Sequence, residues 1–351
     1  MSRLRPGGGT AALDRLDAPR YGHLQRLSDG FGVFEHARYD VPRRSHGYCV
    51  DDVARALLVT VREPEQTDAL GAMTSTSLRF LQSAIAPTGR AHNRRNADGL
   101  WTDEPAVGDW WGRAVWATGV VSIHAVDPST RGAAETVFRR ATQCDPVTLH
   151  TGAFAALGAA AVLRATPSDV AARRILEVFA AMLPSEAPPG WPWPEERLRY
   201  GNGSVVEAVI VTGRALDDPP TLERGLMLLS FLLETETRAG RLSVTGTGGR
   251  GPGDRAPQFD QQPIEVAAIA DACAAAFAAT GDRDWLDGVR LAWAWFEGDN
   301  DTAVPMIDLE TGAGFDGLEP TGRNLNRGAE STLAALSTWQ LARRLLLPTA
   351  A

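Results

Sequence analysis

Four carboxylic acids stand at or just inside the starts of helices that are otherwise apolar: Asp52, Asp109, Glu265 and Glu330. A carboxylate inside an apolar helix is costly unless it is paired or faces a polar cavity. Two carboxyl groups that share a cavity could supply the acid and base of glycosidic cleavage, at a separation of roughly 6.5–9.5 Å for inversion or about 5–5.5 Å for retention. We therefore predict these four residues as candidates for acid–base catalysis.

A second group of side chains near the same helix starts is suited to binding a carbohydrate. Acids and amides hydrogen-bond to sugar hydroxyl groups, and the flat face of an aromatic ring matches the C–H face of a pyranose. His46 also lies beside Arg43 and Arg44, so an anion such as phosphate could bind there. The predicted substrate-binding residues are Arg44, His46, Tyr48, Asp51, Trp110, Arg113, Trp193, Glu195, Tyr200, Asn202, Glu207, Gln261, Gln262 and Asn326.

Several of these residues also have a simpler structural explanation. Asp51 and Arg55 are spaced as an i,i+4 ion pair, which contributes about 0.3–0.5 kcal/mol. Asp260 and Asn326 precede helices at positions typical of N-caps. Singly, each residue is explained by such local roles, but the same pattern at five helix starts favours a shared polar site.

Hydrophobic periodicity predicts two kinds of helix that alternate along the chain. Helices of the first kind are rich in small apolar residues on nearly all faces and should be buried; they are predicted at 51–61, 111–123, 151–163, 204–216, 264–277 and 329–342. Helices of the second kind have charged outer faces and are predicted at 11–27, 70–84, 132–142, 168–182, 221–237 and 283–297. Six alternating pairs predict an all-α fold, an (α/α)6 toroid with inner and outer rings of helices.

The connections between the predicted helices fall into a short class and a long class. Links from an inner to an outer helix are short, whereas most links from an outer to an inner helix are long: 29–48, 85–108, 184–201, 238–260 and 298–327. The long loops should gather at the face where the inner helices begin, and long loops on a compact scaffold usually carry binding and catalysis. We predict a flexible tail at 1–10 and a single barrel domain at 11–346.

The composition argues against several classes of protein. The 351 residues include 35 Lys and Arg against 43 Asp and Glu, a formal charge of -8, whereas a nucleic-acid partner would favour a basic surface. No stretch approaches the roughly 20 apolar residues of a membrane span. Cys49, Cys144 and Cys273 are too widely spaced for a CxxC metal site. We therefore expect no metal, cofactor, membrane or nucleic acid, and a cytoplasmic location because no apolar leader is visible.

Four stretches together resemble a helical domain that occurs in many bacteria, alone or fused behind a group 1 glycosyltransferase: GVFEHARYDVPRRSHGYCVDDVARALL, GDWWGRAVWATG, FDQQPIEVAAIADA and DGLEPTGRNLNRGAESTLA. The resemblance extends from about Asp29 to Leu341. It implies an (α/α)6 toroid akin to six-hairpin glycosidases and sugar 2-epimerases, with a glycosyltransferase as a candidate partner. DWWGRAVWATG is also similar to a region of unsaturated glucuronyl hydrolases whose Asp acts as acid and base. Asp109 matches that residue, although Gly112 here precedes Arg113 instead of following it.

The sequence thus predicts a protein that acts on carbohydrates, and first an intracellular glycoside hydrolase or phosphorylase that uses paired carboxylates. One alternative is an isomerase similar to the sugar 2-epimerases; its chemistry needs a base, usually His, and so predicts that His46 or His150 is essential. The other alternative is a non-catalytic glycan-binding partner of a glycosyltransferase, which would depend on tryptophans more than on carboxylates. Either enzyme would take a sugar or an oligosaccharide as its substrate.

Overall fold

The helices predicted from periodicity are present at nearly the predicted positions. The computed structural model describes residues 16–347, and this part of the chain contains α1 (Gly22–Leu27), α2 (Val50–Arg62), α3 (Asp68–Ala84), α4 (Asp109–His124), α5 (Pro128–Ala141), α6 (Leu149–Ala165), α7 (Val170–Met182), α8 (Asn202–Ala215), α9 (Pro219–Glu236), α10 (Pro263–Thr280), α11 (Leu286–Glu297) and α12 (Ala329–Leu346). Apart from α1, each bound lies within four residues of the predicted one.

The even-numbered helices form a closed inner ring. Each of α2, α4, α6, α8 and α10 contacts the next inner helix, and α12 contacts α2. Helices α3, α5, α7, α9 and α11 each pack outside the inner helix that precedes them, and α1 packs against α12. The predicted (α/α)6 toroid is therefore confirmed.

Adjacent inner helices approach most closely at glycines. A Cβ atom on Gly158 of α6 would lie 2.3 Å from the carbonyl oxygen of Val115 on α4. A Cβ atom on Gly203 of α8 would lie 2.3 Å from the backbone of Ala268 on α10. These contacts explain why the inner helices are rich in small residues.

Replacing Gly158 by Ala is expected to lower the free energy of unfolding by about 1–3 kcal/mol, since an extra methyl group in a filled core forces backbone shifts. The matched control is Gly132→Ala on the exposed face of α5, where a Cβ atom would meet nothing within 4 Å. That change should stabilise the protein by about 1 kcal/mol through helix propensity alone. Urea unfolding of the two variants measures both effects, and equal stabilities would contradict the tight contact between α4 and α6.

Ten two-residue strands lie in the long loops that precede inner helices. They pair as β1 (Ala37–Arg38) with β2 (Val41–Pro42), β3 (Tyr48–Cys49) with β4 (Arg94–Arg95), β5 (Thr237–Arg238) with β6 (Arg241–Leu242), β7 (Ile307–Asp308) with β8 (Ala313–Gly314), and β9 (Leu318–Glu319) with β10 (Gly322–Arg323). The β3–β4 pair joins the loop before α2 to the loop before α4. Gln261 and Leu318 exchange two backbone hydrogen bonds of 3.1 and 2.9 Å, which join the loops before α10 and α12. The loops thus form a connected layer over one face of the ring.

The first predicted outer helix, 11–27, is wrong over much of its length. Of the described residues in this range, only Gly22–Leu27 are α-helical. Pro19 lacks a backbone N–H group and restricts Ala18 to extended conformations, so a helix through this point is disfavoured. Residues 11–15 and the predicted tail at 1–10 lie outside the described residues.

Helix α10 is long and apolar enough to cross a membrane by length and composition alone, with a mean hydropathy of 1.4 over 18 residues. The helix is a member of the inner ring, between α8 and α12. Helices of a protein core that are buried on most faces have the same apolar composition, and this position explains it here.

Candidate active site

A cavity of about 880 Å³ opens at the face where the inner helices begin. We call it the central cavity. Charged side chains dominate its lining: the carboxyl groups belong to Glu35, Asp51, Asp52, Asp109, Glu195, Asp260, Asp316 and Glu330, the guanidinium groups to Arg55, Arg94, Arg113 and Arg199, and the imidazole groups to His36 and His150. Because eight acidic residues and four arginines line the central cavity, its lining is predominantly acidic.

A buried arginine joins two of the predicted acids. Nη1 of Arg55 lies 2.7 Å from Oδ1 of Asp52, and Nη2 lies 2.8 Å from Oε2 of Glu330. Asp52 is only 2% exposed, and its burial, with the Glu330 carboxylate nearby, raises its pKa to about 7 although Arg55 opposes the shift. The buried Cys49 thiol lies 3.2 Å from Oδ2 of Asp52 and donates to it. Asp52 can therefore carry and release a proton near neutral pH.

A second buried arginine lies beside this group. Nε of Arg113 is 3.0 Å from Oδ1 of Asp51, and the guanidinium carbon of Arg113 lies 3.8 Å above the centre of the Phe154 ring. Arg55 and Arg113 both line the central cavity and a small apolar void beneath it. The two arginines therefore form the floor of the central cavity.

Asp109, the first residue of α4, is held by two hydroxyl groups. The Tyr200 hydroxyl donates to its Oδ2 at 2.6 Å, and the Thr151 hydroxyl donates to its Oδ1 at 2.9 Å. Burial and the hydrogen bond to Asp109 raise the pKa of Tyr200, which keeps the phenol protonated as a donor. A carboxyl group that accepts at both oxygens is suited to its ionised, acceptor-only form. This carboxylate is thus oriented before any substrate binds.

An imidazole and an aromatic ring stack next to Asp109. The rings of His150 and Tyr200 have centroids 4.4 Å apart with an interplanar angle of 25°. Nε2 of His150 lies 3.0 Å from Oε2 of Glu195, and its buried Nδ1 has no hydrogen-bond partner among the described residues. His150 is therefore a candidate acid or base whose Nδ1 atom could form a hydrogen bond with a ligand.

Two further acids complete the wall. Asp316 accepts hydrogen bonds at Oδ1 from the backbone of Gly328 and the hydroxyl of Ser331, both at 2.6 Å. Asp260 has a buried Oδ1 atom without a partner in the described part of the chain. Burial raises the pKa of Asp260, and the nearby Glu319 and Asp316 carboxylates add to the shift.

Most of the inner helices begin without a side-chain cap from their own N-cap residue. Within residues 16–347, outer helices α3, α5, α7 and α9 begin with a side-chain cap, whereas α6 is the one inner helix that has such a cap. The residues at the starts of α2, α4, α8, α10 and α12 make no side-chain cap. The partial positive charge of these helix ends favours carboxylates at the cavity face.

Nine of the predicted site residues line the central cavity: Asp51, Asp52, Asp109, Trp110, Arg113, Glu195, Tyr200, Gln262 and Glu330. They include three of the four predicted catalytic acids. The Trp110 ring is held by a hydrogen bond of 2.9 Å from its Nε1 to the carbonyl oxygen of Ala91, so it is a fixed aromatic surface in the wall.

Glu265, predicted as an acid or base, and Asn202, predicted as a ligand, are not among the residues that line the central cavity. The Glu265 carboxylate accepts hydrogen bonds from the backbone of Gly201 and Asn202 and, at 3.1 Å, from Nδ2 of Asn202. It therefore satisfies the free N–H groups at the start of α8, a structural role that leaves few lone pairs for a substrate.

Four other predicted ligands are structural as well. The Tyr48 hydroxyl donates to Asp29 at 2.7 Å, and Trp193 is fully buried in the core. Gln261 is fully buried and donates from Nε2 to Asp301 at 2.7 Å. Glu207 lies away from the cavity lining, and burial together with the neighbouring Asp271 carboxylate raises its pKa well above the usual range. None of these four side chains lines the central cavity.

The remaining three predicted ligands lie at the rim. Arg44 is exposed, with its guanidinium 4.9 Å from the centre of the Phe34 ring. His46 is exposed and reaches the central cavity only through His36, whose Nδ1 is 3.3 Å from that of His46. Asn326 accepts a hydrogen bond of 2.9 Å from the backbone of Tyr39 and lines a separate depression.

The cavity lining includes residues that were not predicted as site residues. Loops contribute Glu35, His36, Arg94, Arg199, Asp316 and Asn324, and helices contribute Arg55, Thr151 and Ser331. Arg94 forms an ion pair with Glu35. Ligand atoms of Glu35, Cys49 and Asp52 lie within 4.8 Å of one another, a spacing that a metal ion could bridge. Because Arg94 and Arg55 already pair with the two carboxylates of this cluster, it does not need a cation for charge balance.

No protein-family model and no curated protein sequence matches this chain. Its fold defines it as an (α/α)6 toroid, and solved structures with this fold are similar over nearly their whole length. A sugar epimerase from a ruminal bacterium has a TM-score of 0.70 at 12% identity, covering 91% of this chain and 95% of the epimerase. The cellobiose 2-epimerase of Spirochaeta thermophila has a TM-score of 0.64 at 15% identity, covering 92% and 94%. A cellulase of C. cellulolyticum in complex with cellobiose has a TM-score of 0.60 at 11% identity, covering 95% and 97%.

Proposed function

We propose that this protein is a carbohydrate-active enzyme that cleaves glycosidic bonds, as a hydrolase or a phosphorylase. One observation carries the proposal: the Asp52–Arg55–Glu330 group and the doubly hydrogen-bonded Asp109 line the same cavity. Glycoside cleavage requires a protonated acid and an ionised carboxylate in one site. Asp52 is buried beside Arg55 and its pKa is raised to about 7, whereas Asp109 accepts a hydrogen bond at each of its oxygens.

The lining of the central cavity supports a sugar as the substrate. Trp110 and Tyr200 supply aromatic surfaces, and Gln262 and the acids supply hydrogen-bonding groups for hydroxyls. The proteins of similar fold include two epimerases and a cellulase bound to cellobiose. Their shared fold raises the expectation of carbohydrate chemistry, while the residues of this chain carry the argument.

In the proposed reaction, Asp52 gives its proton to the glycosidic oxygen as the bond from that oxygen to the anomeric carbon breaks. Asp109 accepts a proton from the water that attacks the anomeric carbon. In phosphorolysis, an oxygen of inorganic phosphate takes the place of this water and attacks the anomeric carbon. Glu330 keeps Arg55 in place and so maintains the environment of Asp52.

The second candidate is a sugar epimerase or isomerase, and it is favoured by His150. This imidazole lines the central cavity, stacks on Tyr200 and has an unpartnered Nδ1. A histidine in this position could remove a proton from the carbon next to a sugar carbonyl, the step that such isomerases require.

One experiment compares these functions. The purified protein is incubated in D2O with manno-, gluco- and galacto-oligosaccharides, with and without phosphate, and the products are followed by NMR. We expect release of shorter sugars by the wild type and at least about a hundredfold slower release by Asp109→Asn, the typical effect of losing a general base. The matched control, Glu177→Gln on the exposed face of α7, should retain full activity.

Other outcomes assign other functions. Deuterium at C2 of the sugar without bond cleavage would replace the proposal by the epimerase. Sugar binding without any chemical change would favour a non-catalytic glycan-binding protein. Full activity of Asp109→Asn would remove this residue from the mechanism.

A glycosyltransferase partner and a cytoplasmic location belong to the same proposal, and both rest on the sequence. The partner follows from the resemblance to a domain that is fused to glycosyltransferases. Co-purification of the tagged protein from its own cells would test the partner directly.

A further inference from the structure

A second depression adjoins the central cavity and differs from it in charge. This outer cavity of about 530 Å³ is lined by Arg38, Tyr39, Arg43, Glu319, Arg323, Asn324, Leu325 and Asn326. Asn324 lines both cavities, so the two lie next to each other on the protein. Three arginines face one glutamate here, whereas acids outnumber arginines two to one in the central cavity. A ligand that spans both would meet opposite potentials at its two ends.

The arginines of the outer cavity are available to a ligand. Arg38 and Arg43 are exposed, and neither forms an ion pair with a carboxylate among residues 16–347. Arg323 is held in place, because its guanidinium stacks 3.6 Å above the centre of the Phe315 ring and donates to the carbonyl oxygen of Pro305. Arginines that lie close together, with guanidinium groups held in place, are the usual ligands of carboxylate and phosphate groups.

An aromatic side chain lies between the arginines. Tyr39 is 53% exposed, yet its backbone is fixed by hydrogen bonds of 2.9 Å to the Asn326 side chain and from the N–H group of Arg327. Its φ of +55° is unusual for a non-glycine residue and is maintained by these contacts with the loop before α12. An exposed ring on a fixed backbone is suited to stacking on a sugar unit.

We propose that the outer cavity binds an anionic unit, a uronate or a phosphorylated or sulfated sugar, of an oligosaccharide whose neutral end occupies the central cavity. This inference rests on the proposed function and specifies its substrate class. Because a negative charge is repelled by the eight acids of the central cavity and attracted by the outer arginines, the charge also fixes the direction in which the chain binds. Stacking on Tyr39 would hold the anionic unit over Arg38 and Arg43.

The test uses neutral tetrasaccharides and the same tetrasaccharides with a uronate at one end, together with a neutral disaccharide short enough for the central cavity. The double variant Arg38→Gln/Arg43→Gln is compared with Arg173→Gln, an exposed arginine of α7. We expect the double variant to raise KM for the uronate substrate at least about tenfold, as expected for the loss of a charge-assisted contact. The disaccharide and the Arg173→Gln variant should be unaffected, and the wild-type preference for uronate should shrink in high salt.

Calorimetric titration with the same sugars separates this inference from the proposed function. Uronate binding that is lost in the double variant, without turnover of any sugar, would support the outer site and contradict the glycosidase. Turnover with equal KM for neutral and uronate substrates would support the glycosidase and overturn the outer site. Absence of both binding and turnover of every sugar would overturn both.

Discussion

Asp52→Asn is expected to reduce turnover of the cleaved oligosaccharide by about two to four orders of magnitude, the range over which a positioned general acid contributes. Asparagine has nearly the same shape and can still accept a hydrogen bond from Arg55, but it cannot release a proton. The KM should change little, because Asp52 is almost fully buried and acts on the leaving oxygen. Steady-state kinetics on the best substrate of the panel measures both values.

The pH profile identifies the role of Asp52 more sharply. A general acid must be protonated, and burial raises the pKa of Asp52 from 3.8 to about 7. The kcat/KM of the wild type should therefore fall as the pH rises through about 7, and this falling limb should be absent from any residual activity of Asp52→Asn. A wild-type profile that stays level from pH 6 to 9 would exclude Asp52 as the acid.

The pH dependence of protein stability tests the raised pKa of Asp52 without a substrate. Because the pKa of Asp52 in the folded protein lies above its ordinary value of 3.8, ionisation is easier in the unfolded chain. The favourable contribution of the protonated Asp52 is present at low pH and is lost as the pH rises through about 7. The free energy of unfolding of Asp52→Asn, relative to that of the wild type, should therefore increase as the pH rises from 3.8 to about 7. A constant difference would contradict the raised pKa.

Hydrophobic periodicity predicted the inner and outer rings because the burial of side chains repeats with the helical period. The direction in which a single side chain points depends on its exact position within that period, and this position is harder to predict from the sequence. Glu207, Glu265 and Glu330 all interrupt apolar inner helices, but they are the sixth, third and second residues of α8, α10 and α12. With 3.6 residues per turn, these offsets point in different directions. Glu330 lines the central cavity, Glu265 binds the start of α8, and Glu207 lies near Asp271.

Many of the residues that were not predicted lie in loops, which have no hydrophobic period. The ion pair of Glu35 and Arg94 joins two loops across 59 residues of sequence. Asp316 reaches the central cavity from the loop between β8 and β9, where backbone contacts with the Gln261 segment fix its course. Such positions depend on how loops pack against one another. The sequence located the face that carries the site but not all of its members.

Arg55→Met is expected to be the most destabilising change in the site. Arg55 is 8% exposed and contacts Asp52 at 2.7 Å and Glu330 at 2.8 Å. Removing the cation from a buried ionic group leaves uncompensated charge and typically costs about 3–5 kcal/mol. The pKa of Asp52 should rise further, since Arg55 is the largest influence that lowers it. Urea unfolding at pH 5 and pH 8 measures the loss, which should be smaller at pH 5, where Asp52 is protonated.

Two further variants show whether the loss of stability in Arg55→Met arises from the lost charge or from the lost packing. Arg26→Met removes a surface arginine that pairs with Asp40, and both side chains are more than a third exposed. This change should cost only about 0–1 kcal/mol. Adding Asp52→Asn to Arg55→Met removes the stranded carboxylate and should recover part of the stability, a coupling that a double-mutant cycle isolates. If the double variant is no more stable than Arg55→Met at pH 8, the loss arises from packing of the long arginine side chain. In that case Arg55 stabilises the floor of the central cavity by packing and not by its charge.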